Sequence, residues 1–217
     1  MRAWRVTEHG APLDVLRLDA DAPRPEPTGE QVAVDVAACG LNFADTLLCH
    51  GTYQERPPLP FTPGMEVAGR RADTGERVVA LPALPAGGLA ERCVAAATDC
   101  WPIPDGVDDV AAASMVITYG TAWVGLFHRG DLQPGDTVLV HAAAGGTGSA
   151  AVQLAHAAGA RVLATAGGAA KVATARDLGA DEAWDSRADG FDLVATVRAA
   201  TDERGVDVPA YDLDVHG

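Results

Sequence analysis

The residues best placed to do chemistry are glycines. Ala143, Gly145 and Gly148 follow an apolar run at 138–140 and open an alanine-rich segment at 149–158 that contains no helix breaker. A short buried strand, a glycine turn, a helix and a second apolar run at 161–166 together make a βαβ unit. In such a unit Gly145 lets the backbone approach a diphosphate, and Gly148 lets the helix lie close against the sheet. The helix start adds unpaired N–H groups and the positive end of its dipole. The reading is a dinucleotide site built from Ala144, Gly145, Gly146, Thr147 and Gly148, with Ala143 where the first glycine usually stands. The plainer alternative is a glycine turn that merely packs a helix on a sheet.

The choice of nucleotide is read from an omission. An NAD-preferring site usually carries Asp or Glu about twenty residues after the glycines, where it holds the ribose 2′-hydroxyl. Here that place holds Thr165, Ala166, Gly167 and Gly168, and no carboxylate occurs between His141 and Arg176. Lys171, the only lysine of the chain, and Arg176 lie just beyond the strand. The expected cofactor is therefore NADP(H), with an exposed helix lysine as the alternative reading of Lys171.

The elements that must position this loop differ between the two halves of the chain. Residues 1–110 read as β-rich, with strands at 3–6, 15–18, 31–36, 66–69, 77–80 and 91–95 punctuated by proline and glycine. Residues 108–129 read as a helical connection. After the second strand of the βαβ unit come a helix at 169–178, a strand at 182–185, a helix at 191–204 and the start of a fourth strand at 206–208, which Pro209 weakens. The fold class expected is α/β, a β-rich domain over 1–110 followed by a doubly wound parallel sheet over 111–217.

Composition narrows the partners. The 217 residues are 48% apolar and 21% charged with a net charge of −14, which argues against nucleic acid or an anionic membrane surface. No apolar stretch approaches a membrane span and no signal-peptide core follows Met1, so the expected location is the cytoplasm. Cys39, Cys49, Cys93 and Cys100 are too scattered for a disulfide framework and form no Cys-x-x-Cys pair, so reduced thiols are expected. With three serines and no nucleophile elbow, a serine hydrolase has no support.

Several dispersed motifs in order, Cys39-Gly-Leu-Asn-Phe-Ala-Asp45, Pro63-Gly-Met-Glu-Val-Ala-Gly69, Thr118-Tyr-Gly-Thr-Ala122 and the stretch from Pro134 through Gly148, carry a resemblance. The chain resembles the zinc-independent NADPH:quinone oxidoreductase branch of the medium-chain dehydrogenase/reductase superfamily. The likeness implies a GroES-like catalytic domain followed by a Rossmann domain. Zinc-dependent relatives carry a metal-binding Cys where Asn42 stands and a His where Met65 stands, so no zinc is expected. A carbonyl without a Lewis acid accepts hydride poorly, whereas a quinone or enone is already conjugated; the absent metal points to that substrate class.

By the same resemblance, Asn42 lies near the nicotinamide and the acceptor oxygen, unless it only closes a strand ahead of a helix. Tyr53 orients the acceptor or donates a proton, unless it simply packs. Thr121 lies near the nicotinamide, with helix packing as its alternative, and Met65 is core. A second family tyrosine falls at Leu47 and one near the adenosine phosphate falls at Ser186. The leading function is NADPH-dependent, metal-free reduction of a quinone. The alternatives are an enoyl-thioester reductase and a catalytically inactive, truncated NADP(H)-binding remnant. After residue 208 the sequence matches nothing expected of the family, so the Rossmann domain is expected to be incomplete, with marginal stability or compensating self-association as a homo-oligomer.

Overall fold

The computed structural model describes residues 1–210; residues 211–217, where most of the unmatched tail falls, lie outside the described residues. By internal contacts the chain divides into Met1–Ile117 and a second unit that begins at Thr118. Among the described residues no helix is long and apolar enough to cross a membrane.

In the first unit, β1 (Ala3–Val6) pairs antiparallel with β2 (Leu16–Asp19) across the single-turn helix α1 (Pro12–Val15). Four further strands, β3 (Gln31–Gly40), β4 (Glu66–Arg71), β5 (Arg77–Pro82) and β6 (Arg92–Pro102), close into a barrel. Alternation along them turns Val34, Val67, Val78, Ala80, Cys93 and Ala95 into one buried core. The strands outrun the apolar patterns that announced them. β6 continues to Pro102 because barrel closure offers it partners, Val79 facing Trp101 and Ala80 facing Cys100. β3 passes a bulge between Val36 and Ala38 and ends at Gly40, directly ahead of α2 (Phe43–His50). Gly51 then closes α2 with a φ of 69°, a left-handed cap.

The expected helical connection over 108–129 forms as three pieces. α3 (Asp109–Ala112) starts where the Asp108 side chain accepts from the Ala111 N–H, and α4 (Val116–Trp123) runs into a π-helical stretch, Val124–Arg129. Two interior glycines, Gly120 and Gly125, lower the helix propensity of this run.

The second unit holds a parallel sheet with β7 (Thr137–Val140), β8 (Arg161–Ala166), β9 (Glu182–Asp185) and β10 (Val208–Ala210) in the order β10-β7-β8-β9. Between them run α5 (Gly146–Ala157), α6 (Ala169–Asp177) and α7 (Leu193–Ala200). All four residues of β7 are buried, as both-face coverage by helices requires. The fourth strand forms despite Pro209 because it lies at the edge of the described sheet, where proline is tolerated. Asp207 fastens it: its N–H donates to the Thr137 carbonyl and its carboxylate accepts from the Thr137 N–H at 2.8 Å. α7 is shorter than the 191–204 expected from sequence. It starts at the Asp192 cap and cannot pass Asp202 and Glu203, whose φ values are 51° and 66°.

Candidate functional site

The strand order places a reversal between β7 and β10, and the loop that leaves β7 at that point is the glycine loop. Open parallel sheets bind ligands at such a reversal, outside the carboxyl ends of the strands. Ala142 turns the chain there with a φ of 46°, a conformation that costs an alanine on the order of 1 kcal/mol. This explains Ala143: the left-handed residue of the turn is its predecessor, and Ala143 itself is buried in the core.

From Ala142 the loop is held by backbone bonds. Gly145 N–H donates to the Ala142 carbonyl at 2.7 Å, and Ala143 N–H donates to the Thr165 carbonyl at 3.0 Å. Gly145 and Gly146 are exposed, Ala144 and Thr147 half-buried, and Gly148 buried. A Cβ on Gly148 would run into the Ala142 carbonyl, so this residue sets how closely α5 approaches the turn. No side chain caps the start of α5. Its first-turn N–H groups are left for solvent or an anion.

Thr121 sits half-buried on α4, and the same helix brings Thr118 to the loop, where a Cβ on Gly146 would lie 3.2 Å from its methyl group. Thr165 is buried and its hydroxyl lies 3.0 Å from Nδ1 of His141. Lys171 is exposed, in the first turn of α6. Arg176 does something else: at the far end of α6 its guanidinium donates to the Ala183 carbonyl at 2.7 Å. It braces β9 and does not serve the loop, a correction to its pairing with Lys171. Ser186 is exposed just after β9. Its neighbour Asp185 brings a carboxylate to the Gly168 N–H at 2.8 Å, so the turn after β8 does meet an acid, supplied by the adjacent strand.

The first unit carries a second cluster. Asn42 precedes α2; its N–H donates to Asp45 at 2.9 Å and its Nδ2 donates to Oε1 of Glu66 at 2.9 Å. Glu66 is 2% exposed, and its other oxygen accepts from the Ile117 N–H at 3.0 Å. No ion pair reaches Glu66 among the described residues. A buried carboxylate without a cation is costly unless hydrogen-bonded, and here both oxygens are engaged. Met65 and Tyr53 both pack against the cluster of Val6, Val15, Leu48, Cys49 and Phe61. The Tyr53 ring therefore belongs to a packed core on at least one face.

The donor set around Asn42 and Met65 does not fit zinc. One is an amide already committed to Glu66, the other a thioether in an apolar cluster. Burial, with Asp45 and Glu66 adding to it, pushes the Cys39 thiol up to about 12, and burial does the same for Cys93. Such thiols hold their protons at neutral pH.

Asp45 is buried, accepts from Asn42 N–H and Gly64 N–H, and burial outweighs those bonds to push its carboxyl above the ordinary 3.8. A carboxyl that keeps its proton longer in the native than in the unfolded state contributes most to stability at low pH. That contribution declines as pH rises from the unfolded to the folded value and is flat beyond. Urea unfolding of the wild type and Asp45→Asn across that range is expected to show the wild type's advantage shrinking as pH rises; a growing advantage would contradict the burial argument.

Neither Glu66 nor Asp45 was legible as a site residue, and nor were Thr118 or Asp185. A glutamate beginning the apolar run Glu66–Gly69 was the one available signal.

Two family models match: an alcohol dehydrogenase GroES-like domain over residues 28–105 and a zinc-binding dehydrogenase domain over residues 146–212. The quinone oxidoreductase of Rattus norvegicus is 37% identical over 216 residues, covering 96% of this chain and 65% of that protein. The quinone oxidoreductase of Thermus thermophilus, solved also in complex with NADPH, superposes with a TM-score of 0.81 at 41% identity, over 93% of this chain and 64% of that one. A probable oxidoreductase from Mycobacterium abscessus gives a TM-score of 0.86 at 34% identity, over 96% and 68%. The chain spans between 44% and 65% of the length of the curated relatives it matches. The barrel unit is a GroES-like domain and the parallel sheet is Rossmann-like. With these motifs, this strand order and these relatives, the chain belongs to the quinone oxidoreductase branch of the medium-chain dehydrogenase/reductase superfamily.

Proposed function

We propose that this chain binds NADPH at the loop between β7 and α5 and serves the metal-free reduction of a quinone. The observation that carries the reading is the uncapped start of α5 behind two exposed glycines, at the reversal of strand order. The N–H groups of Gly146, Thr147 and Gly148 hold the diphosphate, Lys171 attracts the 2′-phosphate, and Thr121, Thr165 and Ser186 complete the nucleotide's surroundings. When bound, the reduced nicotinamide supplies hydride. Asn42 spends one amide N–H on Glu66 and keeps the second to orient an acceptor oxygen. Tyr53 or water returns the proton. The donor chemistry at Asn42 and Met65 argues against zinc, and a conjugated acceptor such as a quinone has the least need of one.

Fluorescence titration is expected to show NADPH binding about tenfold or more tightly than NADH, the discrimination one charge-assisted contact to phosphate supplies. Reversed preference would reject the Lys171 argument. NADPH oxidation is expected with a benzoquinone and not with crotonyl thioester. Turnover of the thioester alone would reassign the chain as an enoyl reductase, and binding without either turnover would leave a nucleotide-binding protein.

A further inference from the structure

We infer that the first unit carries a binding site for a small carboxylate with an apolar body, in a cavity of about 190 Å³ lined by Arg5, Arg92 and Thr62. Every residue that lines it belongs to Met1–Ile117. Three connections converge there: the segment after β2, the segment that enters β4 and the turn between β5 and β6. Backbone bonds hold them in place. Phe61 exchanges hydrogen bonds with Val6 of β1 at 2.8 and 3.1 Å, Thr62 N–H donates to the Pro85 carbonyl at 2.9 Å, and Gly87 N–H donates to the Thr62 carbonyl at 3.0 Å. A Cβ on Gly87 would run into that same carbonyl, so the turn closes on Thr62 only with a glycine there.

The hydroxyl of Thr62 is the first sign of a ligand. Thr62 is 4% exposed and both of its backbone groups are used, yet among the described residues its hydroxyl enters no hydrogen bond. No side-chain polar atom sealed from solvent lacks a partner among those residues, so this hydroxyl keeps an opening, and the space that Thr62 lines is the cavity. A hydroxyl so nearly buried without a protein partner calls for a polar group in front of it.

The charge of the lining fixes the sign of that group. The Arg92 side chain is 15% exposed; its Nε donates to Oδ1 of Asp35 at 2.7 Å and one terminal nitrogen reaches the same oxygen at 2.6 Å, which leaves the other terminal nitrogen without a protein partner. Arg5 gives one N–H to the Pro60 carbonyl at 3.2 Å and meets no carboxylate among the described residues. Asp35 would repel an anion, but it does not line the cavity, and Arg24 reaches it as well at 3.6 Å. The balance here is positive in a chain whose net charge is −14. Arginine forks and a hydroxyl suit a carboxylate or a phosphate alike. Pro23, Pro25, Pro60 and Pro85 decide between them, because apolar walls gain from covering a hydrocarbon or aromatic frame, which a carboxylate can carry and inorganic phosphate cannot. A pocket for a drug-sized molecule has about 300 Å³ or more, so this smaller one suits a ligand of about the size of benzoate.

The test is an NMR chemical-shift titration of the isotope-labelled full chain with benzoate, its neutral analogue benzamide and inorganic phosphate, for the wild type, Arg5→Gln and Thr62→Val. Saturable benzoate binding with a Kd on the order of 1 mM is expected, with benzamide about tenfold weaker because it lacks the charge. Arg5→Gln can keep the bond to the Pro60 carbonyl and removes the cation; it is expected to weaken benzoate about tenfold. Thr62→Val keeps the shape and both backbone bonds, and is expected to cost about fivefold for the lost hydroxyl. The two variants lie on different segments, so one still reads the site if the other fails to fold. Benzoate that does not saturate, or that binds both folded variants as it binds the wild type, would overturn the assignment. Phosphate binding more tightly than benzoate, and lost in the same variants, would overturn the carboxylate class. Lost binding accompanied by a lowered urea midpoint in both variants would make these side chains structural and overturn it too.

Discussion

Gly148→Ala is expected to destabilise the second unit and to abolish nucleotide binding together. The added methyl meets the Ala142 carbonyl, with the Ala142 carbonyl carbon at 2.9 Å and the Ala143 Cα at 3.0 Å. All three are backbone atoms, so no rotamer change relieves the clash; α5 must move off the turn or the turn must open. The core that holds α5 in place includes Ala150, Ala151, Val152 and Ala155, all buried against the sheet, and a shift of the helix disturbs each of them. Overpacking of this kind costs about 2–3 kcal/mol. The same shift carries the first-turn N–H groups away from the position the loop prepares for them. Gly145→Ala separates the two effects. Its methyl would lie 3.2 Å from the Ala142 carbonyl oxygen, a contact relieved by a few tenths of an ångström, while standing on the exposed face that a diphosphate must approach. Urea unfolding and NADPH titration are expected to show Gly148→Ala losing both stability and binding, and Gly145→Ala losing binding with most of its stability retained. A stable Gly148→Ala that still binds would mean that α5 does not need its close approach.

What was legible in the chain was what is written locally. The glycine loop, its two strands and its helix appear over residues 138–166 because strand, turn and helix each leave a short-range pattern, and the structure keeps β8 and β9 at the bounds the sequence implies. The barrel strands were found but cut short, since the extra residues of β3 and β6 are held by partners supplied on closure and carry no alternation of their own. The same distinction governs the site. Lys171 follows the Gly167–Gly168 turn directly in sequence, in the first turn of α6. Asp185 reaches that turn only through the pairing of β9 with β8, which a one-dimensional reading of charges between His141 and Arg176 does not contain. Arg176, near in sequence, faces β9, because five residues along a helix separate it from Lys171 by more than a full turn. Asn42 was identifiable by type, but its partner Glu66 is 24 residues away and announced itself only as a charge opening an apolar strand.

Glu66→Ala is expected to cost about 3 kcal/mol, because it strips partners from two N–H donors at once and leaves a cavity between them. The donors are the Asn42 amide and the Ile117 backbone, and the carboxylate that serves them is 2% exposed, too buried for water to replace it without rearrangement. Gly40 packs against the same group, where a Cβ would come within 2.5 Å of Oε1, so the pocket is shaped to this side chain. Removing a buried carboxylate that has no cation also removes a desolvation cost, and this opposes the loss. The two orphaned donors, on the half-buried residues Asn42 and Ile117, together with the cavity decide the sign: each unsatisfied group costs about 1–3 kcal/mol. Glu66→Gln keeps the shape and one acceptor but sets an NH₂ group against one of the two donors, so about 1 kcal/mol is expected for it. Denaturant unfolding is expected to rank wild type above Glu66→Gln and Glu66→Gln above Glu66→Ala. Quinone reduction by the folded Glu66→Gln protein then reads the second consequence. An Asn42 amide held by Glu66 for an acceptor oxygen should lose kcat in this variant while NADPH affinity, set by the other unit, is unchanged; full kcat would show that Glu66 supports the fold and not the orientation of Asn42.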